Sequence, residues 1–428
     1  MYLCFESNRT NLNLEYFIAK RLTATDKNKS SISAPIKNIA IAAIAIGMIM
    51  MIISVATGIG LQQKIREKVA AFNGHIIISN YDGNQSEVSR EPISINQDFY
   101  PKFKNVSGIN HIQAVATKGG IIRTETDFEG IIFKGVGKDY KWNNLQEYLI
   151  DGKLPDVSKN LNAQVLISKY LADRLHLKVG DKFNTFFMKD DNNKLPNRRY
   201  FEIAGIYNSG FQEFDATYII GDIRHLQRIN KWRPDQIGSF EIFIDDFDKL
   251  QQKGDEIYEN TQNKEDASKT LDTQTIAEKY SYIFEWLQLF DFNIVVILII
   301  MIIVATINIV VALLVLILER TQMIGILKAL GANNWTVRKI FLYNAFHLIF
   351  RGLIWGNVIS IAFIIIQQQF GIVTLDPQSY YVNVAPVYLD WTYILLLNIG
   401  TALIALVVLL IPSYIITKIS PVKAIRFE

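Results

Sequence analysis

Apolar residues gather in four long runs, and a polar-rich stretch of more than two hundred residues separates the first from the second. The runs extend from about Asn38 to Leu61, from near Leu287 to Leu318, from Gly352 to Phe370 and from Trp391 to Tyr414. Each is close to or beyond the ~20 residues a helix needs to cross hydrocarbon. The first two overshoot that length. After Leu61, residues 62–72 continue in good helix formers, with Ile65, Val69 and Phe72 on one stripe of a charged rod. Ahead of the second run, Tyr282, Ile283, Trp286 and Phe290 form a matching stripe. A helix from Tyr282 to Leu318 would be roughly 55 Å long at ~1.5 Å per residue. The pattern therefore predicts stalks, to about residue 72 and over 282–318, that bracket the intervening domain at 74–280.

That domain reads as mixed α+β. Ile76–Ser79, Gly130–Val136 and Tyr200–Ile206 are β-branched and aromatic runs between turn residues. Ser168 is placed to cap a short helix to Leu175, and Asp222 another to Ile229; Asp245–Gln262 predicts a longer helix. Residues 189–199, flanked by strands, make a polar hairpin tip. Within the apolar runs, Gly352, Gly356 and Ser360 repeat at four-residue spacing, as do Ala43 with Gly47 and Ser54 with Gly58, which permits close helix approach. Asn308 shares a face with Ala305 and Ala312 and reads as buried in a helix contact.

Charge settles the expected orientation. Residues 1–37 carry six Lys/Arg against three Asp/Glu, 319–339 four against one, and 418–428 three against one. The outer loop within 371–390 has no Lys or Arg. Basic short flanks face the cytoplasm, so both termini are expected inside. The fold class is an α-helical membrane protein with four transmembrane helices, N-in and C-in, plus a large mixed α+β extracytoplasmic domain between helices 1 and 2. Residues 1–37 are a cytoplasmic segment whose stretch Leu14–Leu22 reads as an amphipathic helix at the lipid interface. The net charge of +3 gives no argument for nucleic acid, and the single cysteine, Cys4, rules out an intrachain disulfide. No Gly-x-x-x-x-Gly-Lys-Ser/Thr occurs, the five histidines are scattered, and no nucleophile–base arrangement stands out. A non-enzymatic permease is expected, with no cofactor or metal of its own.

The segment 319–340 has an internal design. Good helix formers end at Gly331, suited to the left-handed position after a helix, and Asn333 or Asn334 can cap a second helix into Trp335, Val337 and Ile340. This predicts a short surface helix joined tightly to the third span, with residues 415–428 as a cytoplasmic tail. Arg320 and Ile324–Ala332 resemble the coupling helix of the FtsX/MacB superfamily of ABC permeases. Phe17–Leu22, Leu375–Val382 with Ala385–Val387, and Ile419–Arg426 are similar to the lipoprotein-releasing branch of that superfamily.

The resemblance implies an inner-membrane permease that pairs with a second permease chain, itself or a paralogue, and with a cytoplasmic ABC ATPase dimer that binds the ATP and Mg. It implies ATPase coupling through Glu319, Arg320, Met323, Gly325, Leu327, Lys328, Leu330 and Gly331. Position 323 is Met where many relatives carry an acid. Lipoprotein chains are expected against Ile59, Trp286, Phe290 and Ile294, with membrane lipids around them. A periplasmic chaperone is expected at the hairpin hook, through Leu195, Pro196 or Arg198. Two relatives of different function share the coupling motif: a signalling permease that activates cell-wall hydrolases, and a MacB-like efflux permease.

Overall fold

The computed structural model describes residues 15–19, 33–81, 87–158, 160–188, 195–262 and 271–420. Lys20–Leu22 of the N-terminal stretch, the hairpin tip 189–194 and the tail 421–428 lie outside them; residues 15–19 are helical. The chain divides into two compact units: Met1–Leu61, Gln288–Val373 and Ala385–Glu428 form one, and Gln62–Leu287 with Thr374–Val384 the other.

The first unit is built mainly on α1 Ser33–Asn73 up to Leu61, α2 Ser281–Glu319 from Gln288, α3 Thr321–Ala329, α4 Asn334–Phe370 and α5 Trp391–Ser413. Among the described residues, α1, α2, α4 and α5 are long and apolar enough to cross a membrane. The small-residue rows mark where they meet. A Cβ on Gly352 would fall 2.6 Å from Ile44 Cβ, and one on Gly356 2.7 Å from Met48 Cβ, while Ser360 is fully buried. Glycine is what allows α4 to lie this close to α1. On another face of α1, a Cβ on Gly47 would come within 3.7 Å of Ala305 Cβ, and one on Gly58 would overlap Ile294 Cδ1. Met48, Met51, Ile52, Ile317, Phe341, Ile349 and Leu409 fill the shared core.

Polar side chains inside the apolar spans find two different solutions. Asn357 of α4 and Asn398 of α5 exchange amide hydrogen bonds, 2.7 and 2.9 Å, and each donates its second N–H to the carbonyl one turn back, Leu353 and Ile394. Asn308 departs from expectation. It is half-exposed, and its amide donates to Val304 O at 2.9 Å, because a carbonyl four residues earlier on its own helix lies within reach.

The second unit is built on strands β1 Ile76–Asn80, β2 Ile93–Ser94, β3 Ile109–Arg123, β4 Phe128–Val136, β5 Leu149–Gly152, β6 Gln164–Ser168, β7 Lys182–Phe187, β8 Asn197–Tyr207, β9 Tyr218–Asp222, β10 Gln236–Ile237, β11 Ser239–Ile244 and β12 Leu271–Thr275. Six of them close a circuit, β3–β4–β9–β6–β8–β7 and back to β3. The fifteen-residue β3 makes this possible: its second half pairs with β7 and its first half with β11, which leads on to β1 and β12. Phe133, Phe187 and Phe201 are fully buried together, with ring centroids 4.9–6.4 Å apart. The helix 169–174 is capped by Ser168 and the helix 223–230 by Asp222, each side chain accepting from a backbone N–H. The stretch from Asp245 splits into a short 3-10 turn, Phe247–Lys249, and the helix Leu250–Thr261.

A charged pair sits inside this unit. Lys134 and Glu241 are both buried and bonded to each other; Lys134 also donates to Phe72 O, and Gln113 Nε2 donates to Glu241 at 2.8 Å. Burial pulls the Lys134 pKa down while Glu241 opposes that shift. A buried pair of this kind is tolerable because the two charges bond each other and further hydrogen bonds, from Lys134 to Phe72 O and from Gln113 to Glu241, satisfy both.

Gly352→Leu should cost about 1–3 kcal/mol by overpacking the α1–α4 crossing. Thermal melting of the detergent-solubilised protein reads it, and an unchanged midpoint would show that the helices can separate without penalty. His75 gives a pH dependence. Its Nδ1 accepts from Ile244 N–H at 3.0 Å, and burial lowers its pKa from 6.5 to about 4. The folded state thus prefers neutral imidazole, so the stabilisation is complete above pH 6.5 and is lost as pH falls from 6.5 towards 4. The half-buried ring limits the effect to on the order of 2 kcal/mol. Melting between pH 7.5 and 4.5 should show a drop that is smaller in His75→Gln; identical profiles would sink the assignment.

Candidate coupling site

Local chemistry sets the shape of the segment 319–340. The α2 helix ends at Glu319, and Thr321 Oγ1 donates to Leu318 O at 2.7 Å and Ile317 O at 3.2 Å, taking carbonyls the helix end leaves free. The α3 helix closes with Gly331 at φ +94°. Gly331 N donates to Lys328 O and Ala332 N to Leu327 O, both at 3.0 Å, the paired bonds of a Schellman motif. Asn333 then caps α4, its Oδ1 accepting from Thr336 N at 2.7 Å. Of the two asparagines expected as caps, Asn333 serves and Asn334 is the first helical residue.

This geometry sorts the eight expected coupling residues. Gly325 is buried with Ile324, and Met323 and Leu327 pack against the apolar core, so these form the inner face of α3. Glu319 and Gly331 are exposed, Arg320 is half-exposed, and Leu330 is 79% exposed. Ile326, one turn before Leu330, and Trp335 at the start of α4 add exposed apolar surface beside it. Neither stood among the expected coupling residues. The four-residue spacing of Ile326 to Leu330 was readable, but which side of α3 faces the core was not.

Lys328 is engaged within the chain. Its Nζ donates to Ile416 O at 2.6 Å and Ile419 O at 2.9 Å, at the end of the turn Tyr414–Lys418 that follows α5. Burial lowers its pKa from the usual lysine value. Arg338 works on the same helix end, with Nε on Ser413 Oγ at 3.0 Å and Nη2 on Leu410 O at 2.9 Å.

The four residues expected to meet lipid chains separate. Ile294 packs on Gly58, Ile59 lines a small apolar hollow with Ile52, Ile364 and Tyr393, and Phe290 lies one turn before Ile294. Trp286 belongs to the other unit, where its ring stands edge-on to Tyr381, 5.5 Å between centroids. Tyr381 itself, at φ +59°, stacks on Phe211 at 4.5 Å and takes a 2.6 Å hydrogen bond from Lys68 Nζ on its carbonyl. This clamp joins residues far apart in the chain and had no local signal.

At the hairpin between β7 and β8, Leu195 is 84% exposed and Pro196 is also exposed. Arg198 lies over the Tyr200 ring at 4.5 Å. Strand register puts Arg198 in line with Phe186 and Ile121, and Tyr200 in line with Asn184, Arg123 and Phe128. Phe128, Ile121, Arg123 and Tyr200 are all exposed, so the hairpin adjoins an arginine- and aromatic-rich face.

Comparison with known families accounts for both units. The MacB-like periplasmic core domain matches residues 39–257, and the FtsX-like permease C-terminal region matches 295–421. The chain belongs to the MacB-like periplasmic core family, with an FtsX-like permease C-terminal region. The Haemophilus influenzae lipoprotein-releasing system transmembrane protein LolE is 21% identical to this FtsX/MacB-type permease, covering 97% of this chain and 99% of the relative. LolC of the same organism is 22% identical, covering 98% and 100%, and LolC of Neisseria meningitidis is 22% identical, covering 97% and 100%.

Charges on the two faces of α3 should behave differently. Leu330→Glu or Ile326→Glu should move the melting midpoint little, within about 0.5 kcal/mol, because the new carboxylate stays in solvent. Ile324→Glu buries an unpaired charge and should prevent stable folding. Equal sensitivity at all three positions would show that the outer face is not free.

Proposed function

We propose that this chain is the permease subunit of an ATP-driven transporter that extracts lipoproteins from the inner membrane and passes them to a periplasmic chaperone. The observation that carries this reading is the alignment along nearly the full length with relatives named as lipoprotein-releasing transmembrane proteins. The chain itself supports it with an outward apolar patch on a firmly capped short helix, suited to receive a soluble partner. In this reading both termini and α3 face the cytoplasm, and the domain carrying β1–β12 faces the periplasm. A separate ABC ATPase dimer binds ATP and Mg and docks on Ile326, Leu330 and Trp335, with Glu319 and Arg320 at the margin. This chain pairs with a second permease chain and performs no hydrolysis of its own. Ile59, Phe290 and Ile294 offer apolar wall to acyl chains. Leu195, Pro196 and Arg198, with the arginine–aromatic face beside them, meet the chaperone.

A signalling permease that activates cell-wall hydrolases would use the same coupling helix, and so would an efflux permease. Depletion of the protein, followed by separation of inner and outer membranes and a census of lipoproteins in each, distinguishes them. Lipoproteins should accumulate in the inner membrane while other exported proteins are placed normally. Normal lipoprotein sorting alongside a division or envelope defect would replace this reading with the signalling one.

A further inference from the structure

We propose that Lys328 is a positioning residue that makes the C-terminal end of α5 move with the coupling helix, with Arg338 bracing the same helix end from the start of α4. This rests on the reading of α3 as the element that receives the ATPase, and it names which part of the bundle is driven.

The argument starts from the end of α5. A helix C-terminus leaves carbonyls without partners, and here Pro412 withholds a further backbone N–H just before the chain tightens into the 3-10 turn Tyr414–Lys418. The free carbonyls are taken by two cations from elsewhere in the same unit. Lys328 of α3 reaches Ile416 O and Ile419 O. Arg338 of α4 reaches Leu410 O, which also accepts from Ser413 Oγ at 2.8 Å. Cations are favoured at this end of a helix dipole, and hydrogen bonds to charged donors are the strong ones.

The fit is also steric. The Arg338 guanidinium is flanked by the Trp335 ring at 5.2 Å and the Tyr414 ring at 6.0 Å. Ile416 is fully buried in the core that also holds Ile324 and Val337. A load applied to Ile326 and Leu330 therefore has two outcomes. Either the end of α5 follows α3, or the lysine must give up both carbonyls, Ile419 O and Ile416 O, the second keeping only the Ile419 backbone N–H at 3.3 Å among the described residues.

Spin labels at Gln322 and Ile411, both exposed, test this in the full-length protein in lipid nanodiscs, with Cys4 replaced by Ser. The wild-type background should give one narrow distance. Lys328→Met and Arg338→Met should broaden it, and Lys328→Arg should restore it. Narrow distributions in both methionine variants would overturn the proposal. In the transporter assembled with its ATPase, lipoprotein released per ATP should fall roughly tenfold in Lys328→Met, the scale of one charged hydrogen bond, and recover in Lys328→Arg. An unchanged ratio would also overturn it. If no ATPase assembles on the wild-type chain, the transport reading fails, and the distance measurement alone decides whether the two elements are linked.

Discussion

Unpaired carbonyls at helix C-termini, and the cations that take them, organise this molecule. An orphaned buried acceptor costs about as much as a lost hydrogen bond. At the end of α1 the solution is Lys134, which reaches Phe72 O from β4 and is balanced by Glu241, while Tyr280 Oη donates to Asn73 Oδ1 at 2.9 Å. At the end of α5 it is Lys328 and Arg338. In each case the cap comes from another element, so satisfying the carbonyl also fixes one element to another. A glycine cap such as Gly331 closes a helix without tying it to anything. The molecule uses the untied form where α3 turns into α4 and the tied form where a helix end must hold its place.

Within the helical unit, closeness is distributed unevenly. The α1 and α4 helices touch nearly backbone to backbone at Gly352 and Gly356, and α4 and α5 are joined by the Asn357–Asn398 exchange. The α2 helix exposes Phe292, Ile299, Ile303 and Ile307, and meets α1 where Gly47 and Gly58 make room. Three helices are thus held by interlocking or hydrogen bonding, and the fourth shows much of its apolar surface outward. Dispersion contacts that depend on small-residue gaps yield more readily than buried amide pairs, because a displaced methyl group leaves no polar group unsatisfied.

Much of this architecture was legible in the chain because it is written in local patterns. Four apolar runs announce four long helices, and alternating strand and helix signals announce a mixed domain between the first two. Ser168, Asp222, Asn333 and Gly331 mark helix ends through side-chain and backbone chemistry that acts over three or four residues. What escaped depends on pairing at long range. The closure of six strands needs β3 to pair with β4 and also with the distant β7, and nothing in Ile109–Arg123 announces that. The coupling segment shows the same division. Its turn chemistry could be read directly, whereas the inward direction of Met323 and Leu327 depends on a core assembled from α1, α2, α4 and α5. The engagement of Lys328 within the chain had no local signal, because its acceptors lie some ninety residues further on. Tyr381 gave no hint of its clamp, since Lys68, Phe211 and Trp286 come from three distant stretches.

The Asn357–Asn398 exchange has a consequence for how such a chain can drift over generations. Each amide spends one N–H on its own helix and the other, with its oxygen, on its counterpart. Replacing either one by leucine strands the survivor in apolar surroundings, although two leucines together would pack acceptably. The two positions are therefore locked to a shared history: a lineage can leave the asparagine pair by changing both sites in quick succession, or by first acquiring a polar neighbour that shelters the intermediate.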